Sequence, residues 1–210
     1  MANKGRLIVL SGPSGVGKNT ITRELFKQRG DMRFSVSATT RAPRKGEREG
    51  IDYYFIGTET FRRMVATGEF LESAEVHGHF YGTPRGPVEK QLKAGYDVLL
   101  DIDSQGGFQV FASGIECLSI FLLPPSMQEL SQRLTARSSE TEATFTLRLR
   151  NAGKELEAAV RYDYVVVNNQ VTDCVEVMKE ILNQTPQAER FRAVHSASHI
   201  ARLKEEFASC

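Results

Sequence analysis

The sequence predicts an α/β fold: a three-layer core with a parallel sheet and a phosphate-binding loop (P-loop), interrupted by an inserted strand-rich lobe and a helical hairpin. Three observations predict it. Apolar runs begin near residues 7, 98, 119 and 164, separated by stretches of helical spacing, as expected of strands buried on both faces of a parallel sheet. The first run is followed by Gly12-Pro13-Ser14-Gly15-Val16-Gly17-Lys18-Asn19-Thr20 and then by a helix expected over 21–27. Strand, glycine-rich loop and lysine at a helix start is the context a phosphate-binding loop requires. The second run ends in Asp101 and Asp103, and ligands of open α/β sheets lie beyond the carboxyl ends of the strands.

The loop has a direct chemical reading. Glycines at 12, 15 and 17 let the chain turn tightly and present main-chain N–H groups to phosphate oxygens. The following helix start adds its partial positive charge. Lys18 supplies a point charge for the outer phosphates. Asn19 departs from the usual motif, which has Ser or Thr there to ligate Mg²⁺. An amide oxygen is still a hard ligand, and Thr20 is a second candidate.

The chain has 210 residues and a formal net charge of +1. The length suits one α/β domain with insertions. The near-neutral charge argues against a nucleic-acid coat or a membrane-surface protein, and no run approaches a membrane span. Cys117, Cys174 and Cys210 are few, widely spaced and without a metal pattern. With no apolar signal region at the N-terminus, the expected compartment is the reducing cytoplasm.

Taken in order, residues 34–41 alternate weakly and lead into Arg41-Ala42-Pro43-Arg44-Lys45-Gly46-Glu47-Arg48. That basic run is either a solvated loop or, beside the hydroxyls of 37–40, a site for a phosphate monoester. Residues 53–56 read as a strand, 60–67 as a short amphipathic helix and 68–72 as the start of an extended stretch. Residues 77–84 read as turn-rich, and 88–94 as a helix. Asp101 and Asp103, two apart, are expected on one strand face, or as caps of the turn at 104–107. A strand at 119–123 stops at Pro124-Pro125. Ser126 and Glu129 then form a capping box for a helix to about 137. A second helix is expected to about 160. The pair carries Arg133, Arg137, Arg148 and Arg150, and is either a lid over polyphosphate or a solvated hairpin. A strand at 164–167 and helices at 175–183 and 188–207 complete the chain. His195 and His199, four apart, read as surface residues.

Several stretches together resemble the guanylate kinase family over about 5–183. They are Ser-Gly-Pro-Ser-Gly-Val-Gly-Lys at 11–18, Phe-Ser-Val-Ser-Ala-Thr-Thr-Arg at 34–41 and Gly-Ile-Asp-Tyr-Tyr-Phe at 50–55. Gly-Glu-Phe-Leu-Glu at 68–72, Tyr-Gly-Thr-Pro at 81–84, Asp-Val-Leu-Leu-Asp-Ile-Asp at 97–103 and Asp-Tyr-Val-Val-Val-Asn at 163–168 complete the set. The resemblance implies ATP and GMP as substrates, ADP and GDP as products, and Mg²⁺ as cofactor. It implies a core at 1–33, 96–125 and 157–184, a GMP-binding lobe at 34–95 and a lid at 126–156, with 185–210 as a helical extension. ATP would be held by Gly12, Pro13, Ser14, Gly15, Val16, Gly17, Lys18, Asn19, Thr20 and Asn168, and embraced by Arg137 and Arg148. Ser37, Arg41, Arg44, Tyr53, Glu72, Tyr81, Thr83, Asp101 and Asp103 would form the GMP site. Lys18, Arg41, Arg137 and Arg148 would be catalytic, with Asn19 and Asp101 toward the metal, partly through water.

The implied chemistry is coherent. A carboxylate such as Glu72 accepts from guanine N1–H and N2–H₂, while Ser37 and Thr83 face the acceptors O6 and N7. Ser73 follows Glu72 where the family often has a large residue. A non-catalytic scaffold module and a kinase for another monophosphate are the competing readings. Lys18, Asp101, Arg137 and Arg148 speak against the first, and Glu72 with Ser37 and Thr83 against the second. Oligomeric state is left open.

Overall fold

The structure, a computed structural model, describes residues 4–76, 78–135 and 142–208, and of 142–148 the backbone only. The readings made for His77, Arg137 and Cys210 lie outside these residues. In chain order come β1 (Leu7–Ser11), α1 (Lys18–Gln28), β2 (Met32–Phe34), β3 (Ala38–Thr39), β4 (Tyr54–Phe55) and α2 (Thr58–Ala66). Then follow β5 (Phe70–Val76), β6 (His79–Pro84), α3 (Arg85–Lys93), β7 (Asp97–Asp101), α4 (Ser104–Ala112) and β8 (Cys117–Leu123). The remainder is α5 (Met127–Thr135), α6 (Glu142–Glu155), β9 (Tyr164–Val167), α7 (Val171–Leu182) and α8 (Ala197–Ala208), with 3-10 turns at Leu156–Arg161, Pro186–Phe191 and Ala193–Ser196. Among the described residues the strands form a sheet ordered β2-β7-β1-β8-β9 and a sheet ordered β4-β3-β6-β5. No helix among them is long and apolar enough to cross a membrane.

The chain divides into two compact units, Met1–Val9 with Asp31–Leu118 and Leu10–Gly30 with Ser119–Cys210. In the first, β2 pairs with β7 in parallel, Met32 opposite Asp97. The second sheet mixes a parallel β3–β4 pair with antiparallel β3–β6 and β5–β6 pairs. Its apolar face closes on α2. Phe61 stacks on Phe70 and Phe80 with ring centroids 4.5 and 5.4 Å apart, and Ala38 completes the cluster. Residues 79–84, expected as turns, are a strand: their glycine and proline are accommodated by pairing with β5.

In the second unit β8 and β9 pair in parallel, from Ile120 opposite Tyr164 to Leu123 opposite Val167. Both are buried apolar strands, as their composition predicts. Asp163 pins the start of this pair, accepting from Ser119 N at 2.9 Å and Ser119 Oγ at 2.7 Å. Helices α1 and α7 bury Ile21, Leu25, Val175, Met178 and Ile181. The helix expected to reach 160 ends at Glu155 in a 3-10 turn. The segment expected as one helix from 188 is two 3-10 turns followed by α8. His195 and His199 therefore lie on different elements. His199 is half-buried, with Nε2 3.0 Å from the Pro124 carbonyl oxygen, so it is not a plain surface residue.

Candidate active site

In the second unit the loop leaves β1 and ends in α1, whose first residue is Lys18. Gly15 and Gly17 have φ of 84° and 105°, values that L side chains rarely adopt. Space is short as well. A Cβ on Gly15 would stand 2.8 Å from Leu134 Cδ2, and one on Gly17 would stand 2.5 Å from Asn168 Nδ2. Lys18 Nζ donates to the Gly12 carbonyl at 2.7 Å, which folds the lysine back over the loop. Helix α1 has no side-chain cap, in keeping with a helix start that serves an anion. Asn19 is exposed and Thr20 half-buried in its first turn.

The loop is also held from outside. Asn168, at the end of β9 and 2% exposed, donates through Nδ2 to the Val16 carbonyl at 2.7 Å. Arg133 of α5 donates to the same carbonyl at 3.3 Å and to the Asn168 carbonyl at 3.2 Å, while Glu129 steadies its Nε at 3.1 Å. The Ser126–Glu129 pairing is thus half a capping box. Ser126 Oγ accepts from Glu129 N at 3.1 Å, and the Glu129 carboxylate turns to Arg133. Asn168 Oδ1 is buried with no hydrogen-bond partner.

The first unit gathers a different set. On β5 a bulge between Phe70 and Glu72 inserts Leu71. Strict alternation would put Phe70 and Glu72 on one face. The extra residue re-aims them: Phe70 stacks on Phe61 of α2, and Glu72 lies against Gly106 of α4. Glu72 is 8% exposed and accepts from the Thr83 hydroxyl at 2.6 Å. Burial pushes its carboxyl up to about 7; the Thr83 hydroxyl pulls it down, and the Asp103 charge adds to the rise. Tyr81 and Thr83, two apart on β6, share a face. Toward Tyr81 lie Tyr53, ring centroids 6.0 Å apart, and Arg41, whose guanidinium is 5.4 Å from the Tyr53 ring. Burial raises the Tyr53 hydroxyl above its usual value, and the Tyr81 side chain adds to it.

Arg41 is engaged by Glu47, with Nη1–Oε2 at 3.0 Å and Nη2–Oε1 at 2.8 Å. Glu47 also accepts from Arg44 N at 2.7 Å. Arg41, then the Arg44 backbone, hold the Glu47 carboxyl below its usual value. The basic loop is therefore folded around a carboxylate that the sequence reading did not single out.

The family model for guanylate kinase matches residues 4–185. The chain belongs to the guanylate kinase family. It is 44% identical over 204 residues to a guanylate kinase of Clostridium perfringens (strain SM101 / Type A), covering 97% of this chain and 93% of that one. It is 48% identical over 180 residues to one of Desulfitobacterium hafniense (strain Y51), covering 86% and 90%. Its structure is similar to the crystal structure of guanylate kinase from Anaplasma phagocytophilum, with a TM-score of 0.69, 38% identity, and coverage of 87% and 86%. The guanylate kinase reaction is the ATP-dependent phosphorylation of GMP to GDP.

Of the residues that the resemblance assigned, Arg137 lies outside the described residues, as does the side chain of Arg148, which sits on α6. Ser37 leads into β3, where its carbonyl accepts from Tyr54 N at 2.9 Å. Arg44 is exposed. Asp101 closes β7, but Asp103 is not on the strand. It is the N-cap of α4, accepting from Gly106 N at 2.8 Å. The turn expected at 104–107 is the first turn of that helix, so the capping alternative holds for Asp103. Sequence reasoning did not assign a loop-holding role to Arg133 or Asn168, because both contacts span long sequence separations.

Proposed function

We propose that the chain transfers the γ-phosphoryl group of ATP to GMP, with ATP phosphates on the 12–20 loop and GMP on the 34–95 lobe. The observation that carries the guanine assignment is Glu72: a buried carboxylate, held by Thr83, on a strand bulged so that it faces away from the apolar cluster. Guanine offers such a carboxylate two donors, N1–H and N2–H₂, whereas adenine offers no matching pair. A buried carboxylate left unpaired by the wrong base is costly, which makes this kind of discrimination strong. Ser37 would face the guanine acceptors, and Arg41, Arg44, Tyr53 and Tyr81 would hold the GMP phosphate. Asp101 and Asp103, from the core segment, complete the proposed acceptor site, the latter through its cap.

On the donor side, Gly12, Pro13, Ser14, Gly15, Val16 and Gly17 would wrap the phosphates with main-chain N–H groups, and Lys18 would neutralise them. The partnerless Asn168 Oδ1 suits the exocyclic amine of adenine. Arg137 and Arg148 are the proposed lid arginines. The acceptor is already an anionic phosphate oxygen, so no general base is required. The residues' work is alignment, charge neutralisation and exclusion of water.

The oxygens at the helix start are of the kind Mg²⁺ takes. That ion keeps several waters and takes one or two protein oxygens beside phosphate; Asn19 presents an exposed amide there, with Thr20 adjacent, and Asp101 is the carboxylate that the family resemblance implies. When bound it would neutralise the β- and γ-phosphate oxygens. We further propose the division into core, lobe, lid at 126–156 and extension at 185–210, and a cytoplasmic location. The test is ADP release with ATP, Mg²⁺ and each of GMP, AMP, UMP, CMP and dTMP. Turnover with GMP alone is expected; turnover with another monophosphate and none with GMP would overturn the assignment.

A further inference from the structure

Helix α8 lies past residue 185, where the guanylate kinase match ends. It nevertheless grips the segment that joins β8 to α5. His199, Arg202 and Glu206 are spaced i, i+3 and i+7 and share one face. Arg202 donates to the Pro125 carbonyl at 2.9 Å and to His199 Nδ1 at 2.9 Å. With Nδ1 accepting, Nε2 carries the proton and donates to the Pro124 carbonyl at 3.0 Å. Glu206 Oε2 accepts from Met127 N at 2.8 Å. Residues 124, 125 and 127 are each held from the same face.

The next residue reaches the other helix of the pair. The Phe207 ring lies so close to α6 that a Cβ on Gly153 would stand 2.6 Å from Phe207 Cε1. One turn of α8 therefore touches the start of α5 and the last turns of α6, the two stems of the proposed lid.

The contact at Met127 has a particular weight. The first N–H groups of a helix have no partner within it. Ser126 Oγ already serves Glu129 N, so the Met127 N–H needs another acceptor. Met127 is buried, and water is a poor substitute there. A carboxylate gives a charge-assisted bond and complements the helix dipole. Helix α5 then carries Arg133 to the Val16 and Asn168 carbonyls.

We propose that Glu206 is a positioning residue for ATP: by accepting the Met127 N–H it fixes the first turn of α5, and through α5 the Arg133 that steadies the phosphate loop. This rests on the reading of the 12–20 loop as the ATP phosphate site. The test is steady-state kinetics on the full chain, with ATP and GMP titrated separately, for Glu206→Ala, Glu206→Gln, Arg133→Ala and the double variant Arg133→Ala/Glu206→Ala. Lys204→Ala, an exposed residue on the same helix, serves as control.

Glu206→Ala is expected to raise the KM for ATP by roughly three- to tenfold, the scale of losing a helix cap, and to leave the KM for GMP unchanged. Glu206→Gln keeps an acceptor oxygen and recovers most of the loss, and Lys204→Ala matches the wild type. Arg133→Ala raises the KM for ATP, and adding Glu206→Ala to it changes little, because the path is already cut. A KM for ATP unchanged in Glu206→Ala, or effects that multiply in the double variant, would overturn the proposal while leaving the kinase reading intact if the wild type phosphorylates GMP. Absence of GMP-dependent ADP release from the wild type would overturn both.

Discussion

Glu72→Gln separates two consequences of burying a carboxylate at the proposed acceptor site. In the folded protein burial raises this carboxyl from its usual 4.5 to about 7. A carboxyl raised on folding contributes stability that is fully present below pH 4.5 and is lost as the pH climbs through about 7. The interval corresponds to about 3 kcal/mol at roughly 1.4 kcal/mol per pH unit. Glutamine keeps an acceptor for the Thr83 hydroxyl and carries no charge at any pH. The variant should therefore gain on the wild type by up to about 3 kcal/mol between pH 4 and pH 8, with less than about 1 kcal/mol of that gain reached by pH 5. Any fixed cost of burying the amide N–H₂ shifts both pH values alike, so the diagnostic is the difference between them. Urea denaturation of both proteins at pH 5 and pH 8 measures it. The same substitution replaces one acceptor by a donor against guanine, and should cut kcat/KM for GMP by about two orders of magnitude or more. GMP's own phosphate titrates near pH 6 in both proteins. The Glu72 contribution is thus the part of the wild-type pH profile that the variant lacks. A stability difference that stays constant from pH 5 to pH 8 would refute the reasoning.

Two further substitutions probe the proposed GMP and ATP subsites separately. Gly106→Ala places a Cβ 2.9 Å from Glu72 Oε2; because Thr83 pins the other oxygen, the carboxylate cannot step aside cheaply, and the KM for GMP should rise by about tenfold with the KM for ATP unchanged. An unaltered KM for GMP would mean that Glu72 is not fixed where it lies. Asn19→Ser restores a hydroxyl at the helix start and should lower the Mg²⁺ concentration needed for half-maximal rate; superimposable Mg²⁺ titrations would remove position 19 from the metal's surroundings.

What the sequence made legible follows from which forces leave a local trace. Strands β7, β8 and β9 are apolar runs because they are buried, and the loop is legible because its glycines are dictated by backbone geometry. Strand β6 was not legible. Gly82 and Pro84 look like turn residues, but Gly82 is there because a Cβ would stand 2.9 Å from the Phe70 ring, a fact of cross-strand packing. The β5 bulge is equally silent, since one extra residue in a strand alters no composition. Helices α1 and α3 begin three residues before their apolar spacing does, because Lys18-Asn19-Thr20 and Arg85-Gly86-Pro87 offer the core no large apolar side chain; α7 begins at Val171, four residues before the expected start, on the same apolar spacing as Cys174 and Val175. At the site, Glu72 came from family resemblance rather than from periodicity. Glu47 was overlooked although it is near in sequence, because a carboxylate within a basic run reads as solvation. The bonds of Arg133 to Val16 and of Glu206 to Met127 join residues 117 and 79 positions apart, and no local pattern encodes them.

Asp103, expected on a strand face or as a cap, takes the second of those roles. As an N-cap it accepts from Gly106 N at 2.8 Å, which fixes the first turn of α4. That turn brings Gly106 against the Glu72 carboxylate, with no side chain between them. The Asp103 charge also contributes to the raised Glu72 carboxyl. Cap and charge thus act on the same neighbour, one by placing the wall beside it and one by disfavouring its ionised form. Donors that meet Glu72 from the other side would oppose that second effect, because hydrogen bonds to a carboxylate favour its charged form. In the proposed complex guanine would supply two such donors, and its binding would then draw the proton off Glu72. The Gly106–Glu72 contact and the pH dependence at Glu72 are therefore two views of one arrangement, in which a helix cap well down the chain tunes the carboxyl proposed to read the base.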